Sequence, residues 1–233
     1  MISRLDQSFE KQKQFVSDAS HELRTPISVI QGYVNLIDRW GKSDTEVLEE
    51  SISSIKYETE HMANLIKQLL FLARTDNKTQ TAQLKPENIS IIAEDVVREA
   101  TVMDSKITIK FTGDNSVIAN IDEHLIKQLM WIFVDNAIKY SADKPIIINV
   151  NTGYENEKPF FTVADKGIGM EQENINHIFD RFYRADQSRN KEIDGNGLGL
   201  SIAKWIIEQH NGHIDVVSEI GKGSCFKITF PKL

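Results

Sequence analysis

The strongest constraint on the fold is a helical repeat of apolar residues through the first 76 positions. Two stripes with spacings of three and four are separated by the turn-forming segment "GKSD" at 41–44. Two amphipathic helices joined by a short turn predict an antiparallel hairpin. The first stripe contains Phe15, Ala19, Leu23, Ile27, Ile30, Val34 and Ile37, and the second contains Val47, Ile52, Ile55, Met62, Leu65, Ile66, Leu69 and Leu72.

A single hairpin with so wide an apolar face cannot bury all of it. The simplest arrangement that does so is a dimeric antiparallel four-helix bundle, to which each chain contributes two helices. The alternative is a hairpin docked on the rest of its own chain. The stripe continues upstream through Ile2, Leu5 and Phe9, and this continuation favours the homodimer.

Composition excludes several classes of protein. The net charge of −7 over 233 residues, with no basic stripe, argues against a nucleic-acid partner. Cys225 is the single cysteine, so the chain can form neither an internal disulfide nor a cysteine metal cage, which suits a reducing compartment. The chain has no apolar run of the ~18 residues that a membrane span needs, and we expect a cytoplasmic location.

The periodicity changes after a polar stretch, "RTDNKTQTAQLKP" at 74–86, which is typical of a linker. Helical and strand-like segments then alternate, and they predict an α+β domain with one sheet covered by helices on one face, an α/β sandwich. The predicted helices are 89–103, 123–140, 171–179 and 199–210, and the predicted strands are 107–111, 116–121, 146–152, 160–164, 213–218 and 225–230.

The segment "DNAIKYS" at 135–141 lies near the end of a predicted helix. Asn136, Lys139 and Tyr140 share one face because they are three and four residues apart. A carboxamide oxygen can bind a hard cation such as Mg²⁺, a lysine can pair with phosphate or ribose, and a tyrosine can cover a base. Taken alone, the segment is equally typical of a polar helix end.

Two glycine-containing segments follow. In "DKGIGM" at 165–170, Asp165 ends a strand and can accept a hydrogen bond from an exocyclic amine, and its glycines would let the backbone approach a flat ring. "GNGLGL" at 195–200 opens a helix, where free backbone N–H groups favour phosphate. Each alone also fits an ordinary glycine turn. The candidate residues here are Gly167, Gly169, Gly195, Gly197, Leu198 and Gly199.

In this order and spacing, the three segments resemble the ATP-binding fold shared by sensor histidine kinases, gyrase, mismatch-repair ATPases and heat-shock chaperones. The resemblance implies that the domain binds ATP with Mg²⁺, with Asn136 as the metal ligand. "FDRFYR" at 179–184 and "GKGS" at 221–224 resemble further histidine kinase segments. The polar run that ends at Gly195 would form a mobile lid with Phe179 and Phe182 at its base. Arg184 would reach phosphate, and Arg189 either does so too or belongs to a solvated run of charges.

The first helix carries the same resemblance. "FVSDASHELRTPI" is similar to the phosphoacceptor helix of histidine kinases, whose core is His-Glu-x-x-(Thr/Asn)-Pro. This implies that His21 is the phosphoacceptor, Glu22 the general base and Thr25 the residue that holds a water for phosphatase activity. Pro26 removes a helical hydrogen bond and is a candidate hinge. A zinc helix of the HExxH type is excluded because residue 25 is threonine.

One position departs from the family pattern. Ile132 stands four residues before Asn136, where many histidine kinases carry asparagine and the related ATPases carry a glutamate that activates water. Without a carboxylate there, transfer of phosphate to a protein is favoured over simple hydrolysis of ATP, and Asn136 carries more of the Mg²⁺ role.

The resemblance therefore predicts the catalytic part of a two-component sensor histidine kinase that phosphorylates His21 and passes the phosphoryl group to an aspartate of a response regulator receiver domain. The alternatives are a dimeric scaffold that binds ATP with little transfer, and a hydrolysing gyrase-like ATPase. Membrane-spanning segments would lie outside this chain. The predicted divisions are a signalling helix or linker (1–14), a dimerisation and phosphotransfer hairpin (15–76), a linker (77–86) and a catalytic domain (87–233).

Overall fold

The chain divides into two compact units, Met1–Asn77 and Lys78–Leu233, which we describe separately. The structure is a computed structural model, and it describes residues 2–41, 43–103, 107–141, 146–185 and 195–233, without the side chains of residues 2–9 and 11. The predicted lid, with Arg189, lies almost entirely outside the described residues.

The first unit is the predicted antiparallel hairpin. Helix α1 spans Ile2–Trp40 and helix α2 spans Thr45–Asp76. The chain turns because the N–H of Asp44 donates to the carbonyl of Trp40 (2.9 Å). Asp44 then caps α2, since its Oδ1 accepts from the N–H groups of Glu46 (3.0 Å) and Val47 (3.2 Å). The segment "GKSD" therefore forms the turn between the end of α1 and the start of α2, as predicted.

The apolar stripe of the hairpin is only partly covered within the unit. Leu65 and Leu72 are buried, whereas Val16, Val34 and Leu70 are 58%, 51% and 53% exposed. An apolar groove on this unit is lined by Phe15, Val16, Ala19, Ser20, Leu23, Ile66, Leu69, Leu70 and Ala73. Within the described residues, neither hairpin helix, nor any other, combines the length and hydrophobicity of a membrane span.

The second unit is built on a mixed five-stranded sheet. Its strand order is β2-β4-β5-β7-β6, with β2 and β4 parallel and the other pairs antiparallel, and β1 and β3 form a separate two-stranded sheet. The elements are β1 (Lys85–Asn88), α3 (Ile89–Met103), β2 (Ile107–Gly113), β3 (Ile118–Ile121), α4 (Glu123–Lys139), β4 (Ile146–Glu155), β5 (Lys158–Asp165), α5 (Gln172–Ile175), α6 (Gly199–Gln209), β6 (His213–Glu219) and β7 (Gly223–Thr229).

Helices α3, α4 and α6 pack on one face of the large sheet, as the sequence predicted. Strand residues alternate between this buried face and a more exposed face, so Val150, Val163 and Phe226 stand side by side in the core. Phe133 of α4 stacks on Phe226 with ring centroids 4.9 Å apart. This packing fixes α4 against the centre of the sheet, and the candidate site lies at the end of that helix.

The structure corrects three element predictions. The short strand β1 falls at the border of the predicted linker and pairs with β3. Strands β4 and β5 are longer than predicted and join through Asn156 and Glu157, which both have positive φ (50° and 65°), as a tight hairpin turn requires. The helix predicted at 171–179 is reduced to the single turn of α5 and is followed by further turns.

Candidate functional site

The first part of the candidate site is the C-terminal half of α4. Asn136 and Lys139 are half-buried there, and Tyr140, which follows the last residue of the helix, is 37% exposed. Lys139 Nζ forms an ion pair with Asp135 Oδ2 at 2.6 Å. The lysine is therefore held on the helix surface, and a nucleotide would have to compete with Asp135 for it.

The second part is Asp165, the last residue of β5. Its Oδ1 accepts hydrogen bonds from the N–H groups of Gly167 (2.7 Å) and Ser224 (3.2 Å). Burial raises the pKa of the Asp165 carboxyl above its ordinary value, although these hydrogen bonds act in the opposite direction. With Oδ1 fixed in this way, Oδ2 can serve as an oriented acceptor at the end of β5.

Gly167 brings these two parts into contact. A Cβ atom at this position would collide with the carbonyl oxygen of Tyr140 and with Asp165 Oδ1. In the same turn, the N–H of Ile168 donates to the carbonyl of Tyr140 at 3.0 Å. Glycine is therefore required where the loop after β5 crosses the end of α4, which is a different reason from the approach to a ring that the sequence suggested.

Gly169 packs in a similar way on the turn between β6 and β7. It has a φ of +67°, and a Cβ atom there would collide with the carbonyl of Glu219. The N–H of Gly221 donates to the carbonyl of Ile168 at 2.7 Å. The "DKGIGM" and "GKGS" segments are thus one packed structure, with Asp165 hydrogen-bonded to both.

The glycine-rich segment before α6 forms a second close packing. Gly197 has a φ of +67°, and its carbonyl accepts a hydrogen bond from the N–H of Phe182 (3.0 Å), which itself has a φ of 62°. Leu198 is completely buried, and its N–H donates to Asn196 Oδ1 at 3.2 Å. Gly195, in contrast, has open space where a side chain would stand. Leu198 therefore anchors the start of the helix with its side chain.

Ile132 joins the glycine-rich segment to α4. Its Cγ2 lies 3.4 Å from the position that a Cβ atom would occupy on Gly199, the first residue of α6. Asn136 follows one helical turn later, so α4 contacts the start of α6 at Ile132 and the β5 loop at Tyr140. The structure thus places the two glycine-containing segments against the helix that carries the first segment.

Arg184 is half-buried shortly after Phe182, at the edge of the described residues. The lid that the sequence predicted beyond it cannot be related to the site, because residues 186–194 are outside those the structure describes.

The predicted phosphoacceptor residues lie in the middle of α1, in the other unit. His21 and Thr25 are exposed, Glu22 is half-buried and Pro26 is buried. The helix continues through the proline, although Pro26 has no N–H to donate to the carbonyl of Glu22. The imidazole is thus accessible on a helix that lacks one hydrogen bond beside it.

Sequence reasoning missed two residues of the site. Ser224 was quoted within "GKGS" without a role, yet its N–H holds Asp165. Phe182, which the sequence predicts at the base of a lid, also shapes the glycine-rich turn through its positive φ and its bond to Gly197. The residue type does not predict either role, because both residues act through their backbone N–H groups.

The residues that could hold a divalent cation are few. Among the described residues, no group of three His, Cys, Asp or Glu side chains has the geometry of a metal site. Asn136 offers one carboxamide oxygen, which fits Mg²⁺ only if phosphates and waters supply the remaining ligands. That is the usual arrangement of Mg²⁺ bound together with a nucleoside triphosphate.

The fold and the glycine-framed site define a nucleotide-binding ATPase unit joined to a phosphoacceptor hairpin. The model of the histidine kinase-, DNA gyrase B- and HSP90-like ATPases matches residues 121–233, and the His Kinase A phosphoacceptor model matches residues 11–78. This chain is 43% identical to sensor histidine kinase YkoH of Bacillus subtilis over 230 residues, which is 99% of its length. Over 232 residues it is 42% identical to the signal transduction histidine-protein kinase ArlS of Staphylococcus aureus. The chain belongs to the two-component sensor histidine kinases.

Solved structures agree at the level of the fold. Histidine kinase ThkA in complex with response regulator protein TrrA gives a TM-score of 0.73 at 21% identity, covering 99% of this chain and 66% of that one. AdeS of Acinetobacter baumannii gives 0.68 at 22% identity, covering 90% and 96%. The chain spans about half the length of the curated relatives it matches, 50% of YkoH and 51% of ArlS.

Proposed function

We propose that the second unit binds Mg²⁺–ATP and that its γ-phosphoryl group is transferred to His21. The observation that carries the proposal is the half-buried Asp165 carboxylate, fixed by two backbone N–H groups at the end of β5, where the following loop contacts the residue after α4. Its Oδ2 would accept from the exocyclic amine of adenine. Tyr140 would cover the base, and Gly195, Gly197 and Gly199 would leave backbone N–H groups for the phosphates.

Transfer to His21 follows from the chemistry of its neighbours. One ring nitrogen attacks the γ-phosphorus while the bond to the β,γ-bridging oxygen breaks, so that ADP leaves. The other ring nitrogen gives its proton to Glu22, the half-buried carboxylate next to it in the sequence. Mg²⁺, held by Asn136 together with the phosphates, would neutralise phosphate charge, and the residues that would hold and orient the triphosphate are Asn136, Lys139 and Arg184.

The second step of the proposal is transfer from His21 to an aspartate of a response regulator. The exposure of His21 permits a partner to reach it, and the related fold of ThkA was solved with a response regulator. Thr25, one helical turn from His21, would position a water for the reverse, phosphatase activity. A sensing region, with any membrane segments, would belong to the half of the relatives' length that this chain does not cover.

The hairpin would act as a homodimer. Val16 and Leu70, which line the groove described above, and Val34, further along α1, leave large apolar surfaces exposed. A second hairpin placed on this face would bury them and complete the four-helix bundle, and each exposed aliphatic side chain that it covers contributes ~1.5–3 kcal/mol.

The experiment that tests the function follows the γ-phosphate of labelled ATP in the presence of Mg²⁺. We expect stoichiometric label on the protein and little free phosphate, which chromatography separates and scintillation counting quantifies. Nucleotide binding without protein label would favour a scaffold. Release of free phosphate without protein label would favour a hydrolysing ATPase, and either outcome would contradict the proposal.

A further inference from the structure

Helices α4 and α6 lie side by side, and the two ends of α6 are each held by α4 or by the residue before it. At one end, Ile132 of α4 packs against Gly199, the first residue of α6. At the other end, Asp122 immediately before α4 is hydrogen-bonded to His210 immediately after α6. The helices are therefore antiparallel, and the end at Ile132 belongs to the candidate nucleotide site.

His210 is held in one tautomer by two hydrogen bonds. It is 1% exposed, its Nδ1–H donates to the carbonyl of Ile206 at 2.7 Å, and its Nε2 accepts from the backbone N–H of Asp122 at 3.0 Å. The ring meets Phe230 edge-on, with centroids 6.1 Å apart. Burial lowers the pKa of His210, which keeps the ring neutral and Nε2 able to accept.

Asp122 is fixed from two further directions. Its Oδ1 accepts from the N–H of Leu125 at 3.2 Å and so caps α4. Its Oδ2 accepts from the N–H of Gln83 at 2.9 Å, on the segment that precedes β1. Because Asp122 is held by its carboxylate, the bond from its N–H to His210 fixes the end of α6 against a rigid point.

A slide of α6 along α4 would have to break the hydrogen bond between Asp122 and His210. Moving α6 by one residue is a shift of about 1.5 Å, which would leave the N–H of Asp122 unpaired beside a buried ring. The same shift would move Gly199 and the glycine-rich segment away from Ile132 and Asn136. A displacement of about 1 Å in a positioning element is enough to impair catalysis strongly.

We propose that His210 is a positioning residue that sets the register of α6 on α4, and thereby the phosphate-binding end of the nucleotide site. This rests on the proposed ATP-binding function. The adenine end of the site is built on Asp165, Gly167 and Tyr140, which do not belong to α6. A register role therefore predicts that loss of the bond weakens binding of the triphosphate and spares binding of the nucleoside.

The test compares two amides that differ by one methylene. In His210→Gln, the side-chain oxygen can occupy the place of Nε2 and accept from Asp122. In His210→Asn, the shorter amide can reach Ile206 but not Asp122. His213→Asn makes the same substitution at an exposed histidine that pairs with Asp215 (3.3 Å) and serves as the control. Binding of β,γ-imido-ATP with Mg²⁺ is measured by calorimetry, and binding of adenosine by NMR titration.

We expect His210→Asn to bind the ATP analogue about tenfold more weakly and adenosine as wild type does, whereas His210→Gln and His213→Asn retain both affinities. Equal weakening of both ligands by His210→Asn, or no change in either, would overturn the inference while leaving the proposed function intact. A wild-type protein that binds neither ligand would overturn both. Should circular dichroism show that His210→Asn is unfolded, His210→Met removes the acceptor while preserving bulk and carries the same expectations.

Discussion

The N–H of Gly167 donates to Asp165 Oδ1 at 2.7 Å, and this short turn fixes the orientation of the carboxylate that ends β5. Ser224 donates to the same oxygen. The backbone therefore decides which carboxylate oxygen faces inward and which is available to a ligand. The sequence predicts Asp165 as an acceptor. The structure adds that Oδ1 already accepts these two bonds, and we therefore propose Oδ2 as the atom that would accept from a ligand.

Asp165→Asn should abolish recognition of adenine without unfolding the domain. The amide oxygen can keep the bonds to Gly167 and Ser224, which places the NH2 group where Oδ2 was. A donor would then face the exocyclic amine, and nucleotide affinity should fall about tenfold or more, because a hydrogen bond to a charged group is lost. Calorimetric titration with ADP measures the affinity. Unchanged affinity in a folded variant would contradict the assignment of Asp165.

Nucleotide binding should also depend on pH through Asp165. Burial raises the pKa of this carboxyl, so in the folded protein it becomes protonated at a higher pH than an ordinary aspartate, whose pKa is about 3.9. Protonation removes the acceptor, and affinity for ADP should therefore fall as the pH decreases through the raised pKa. The dissociation constant for ADP should therefore rise as the pH is lowered through the mildly acidic range in wild type. In Asp165→Asn this part of the pH dependence should be absent.

Gly167→Ala should destabilise the second unit. Its Cβ atom would collide with the carbonyl oxygen of Tyr140, and overpacking of this kind costs about 1–3 kcal/mol. Urea unfolding followed by tryptophan fluorescence and circular dichroism measures the change in the free energy of unfolding.

Gly32→Ala is the matched control for that experiment, because a Cβ atom on Gly32 meets nothing within 4 Å. Alanine is also the better helix former there, by roughly 0.5–1 kcal/mol. Its unit should become slightly more stable. If Gly167→Ala were as stable as wild type, like the control, the close approach of the β5 loop to the end of α4 would be refuted.

Pro26→Ala should slow phosphorylation of His21 without altering nucleotide affinity. The backbone N–H of alanine can donate to the carbonyl of Glu22, which proline cannot do. A proline-to-alanine change inside a helix is worth roughly 3 kcal/mol of helix stability. The turn that carries His21 then bends less readily. Single-turnover labelling at saturating ATP measures the rate, and a rate equal to that of wild type would contradict the role of Pro26 as a hinge.

The sequence predicted most of the helices because their apolar period is long and their caps are explicit. The boundaries of α3 agree with the prediction, and Asp44 caps α2 as its position suggested. It predicted the β4–β5 turn poorly, since Asn156 and Glu157 adopt positive φ without any glycine. The sequence did not predict strand β1, because its four residues lack an apolar pattern and form a strand only through their pairing with β3.

The sequence nominates the side chains of the candidate site, but it could not predict the backbone contacts that the structure shows around them. Asp165 could be assigned from its place at a strand end. The reason for Gly167 and Gly169 could not, because the carbonyls they approach come from Tyr140 and Glu219, which are distant in the sequence. The link from Asp122 to His210 spans 88 residues, and no local pattern marks such a pair.

The most direct test of the central claim is to find which residue carries the phosphoryl group. Wild type and His21→Gln are incubated with γ-labelled ATP and Mg²⁺, and the label on the protein is challenged with acid and with base. We expect an acid-labile, base-stable label on wild type and none on His21→Gln, with ADP affinity equal in both. Label that persists on His21→Gln, or that survives acid, would contradict phosphorylation of His21.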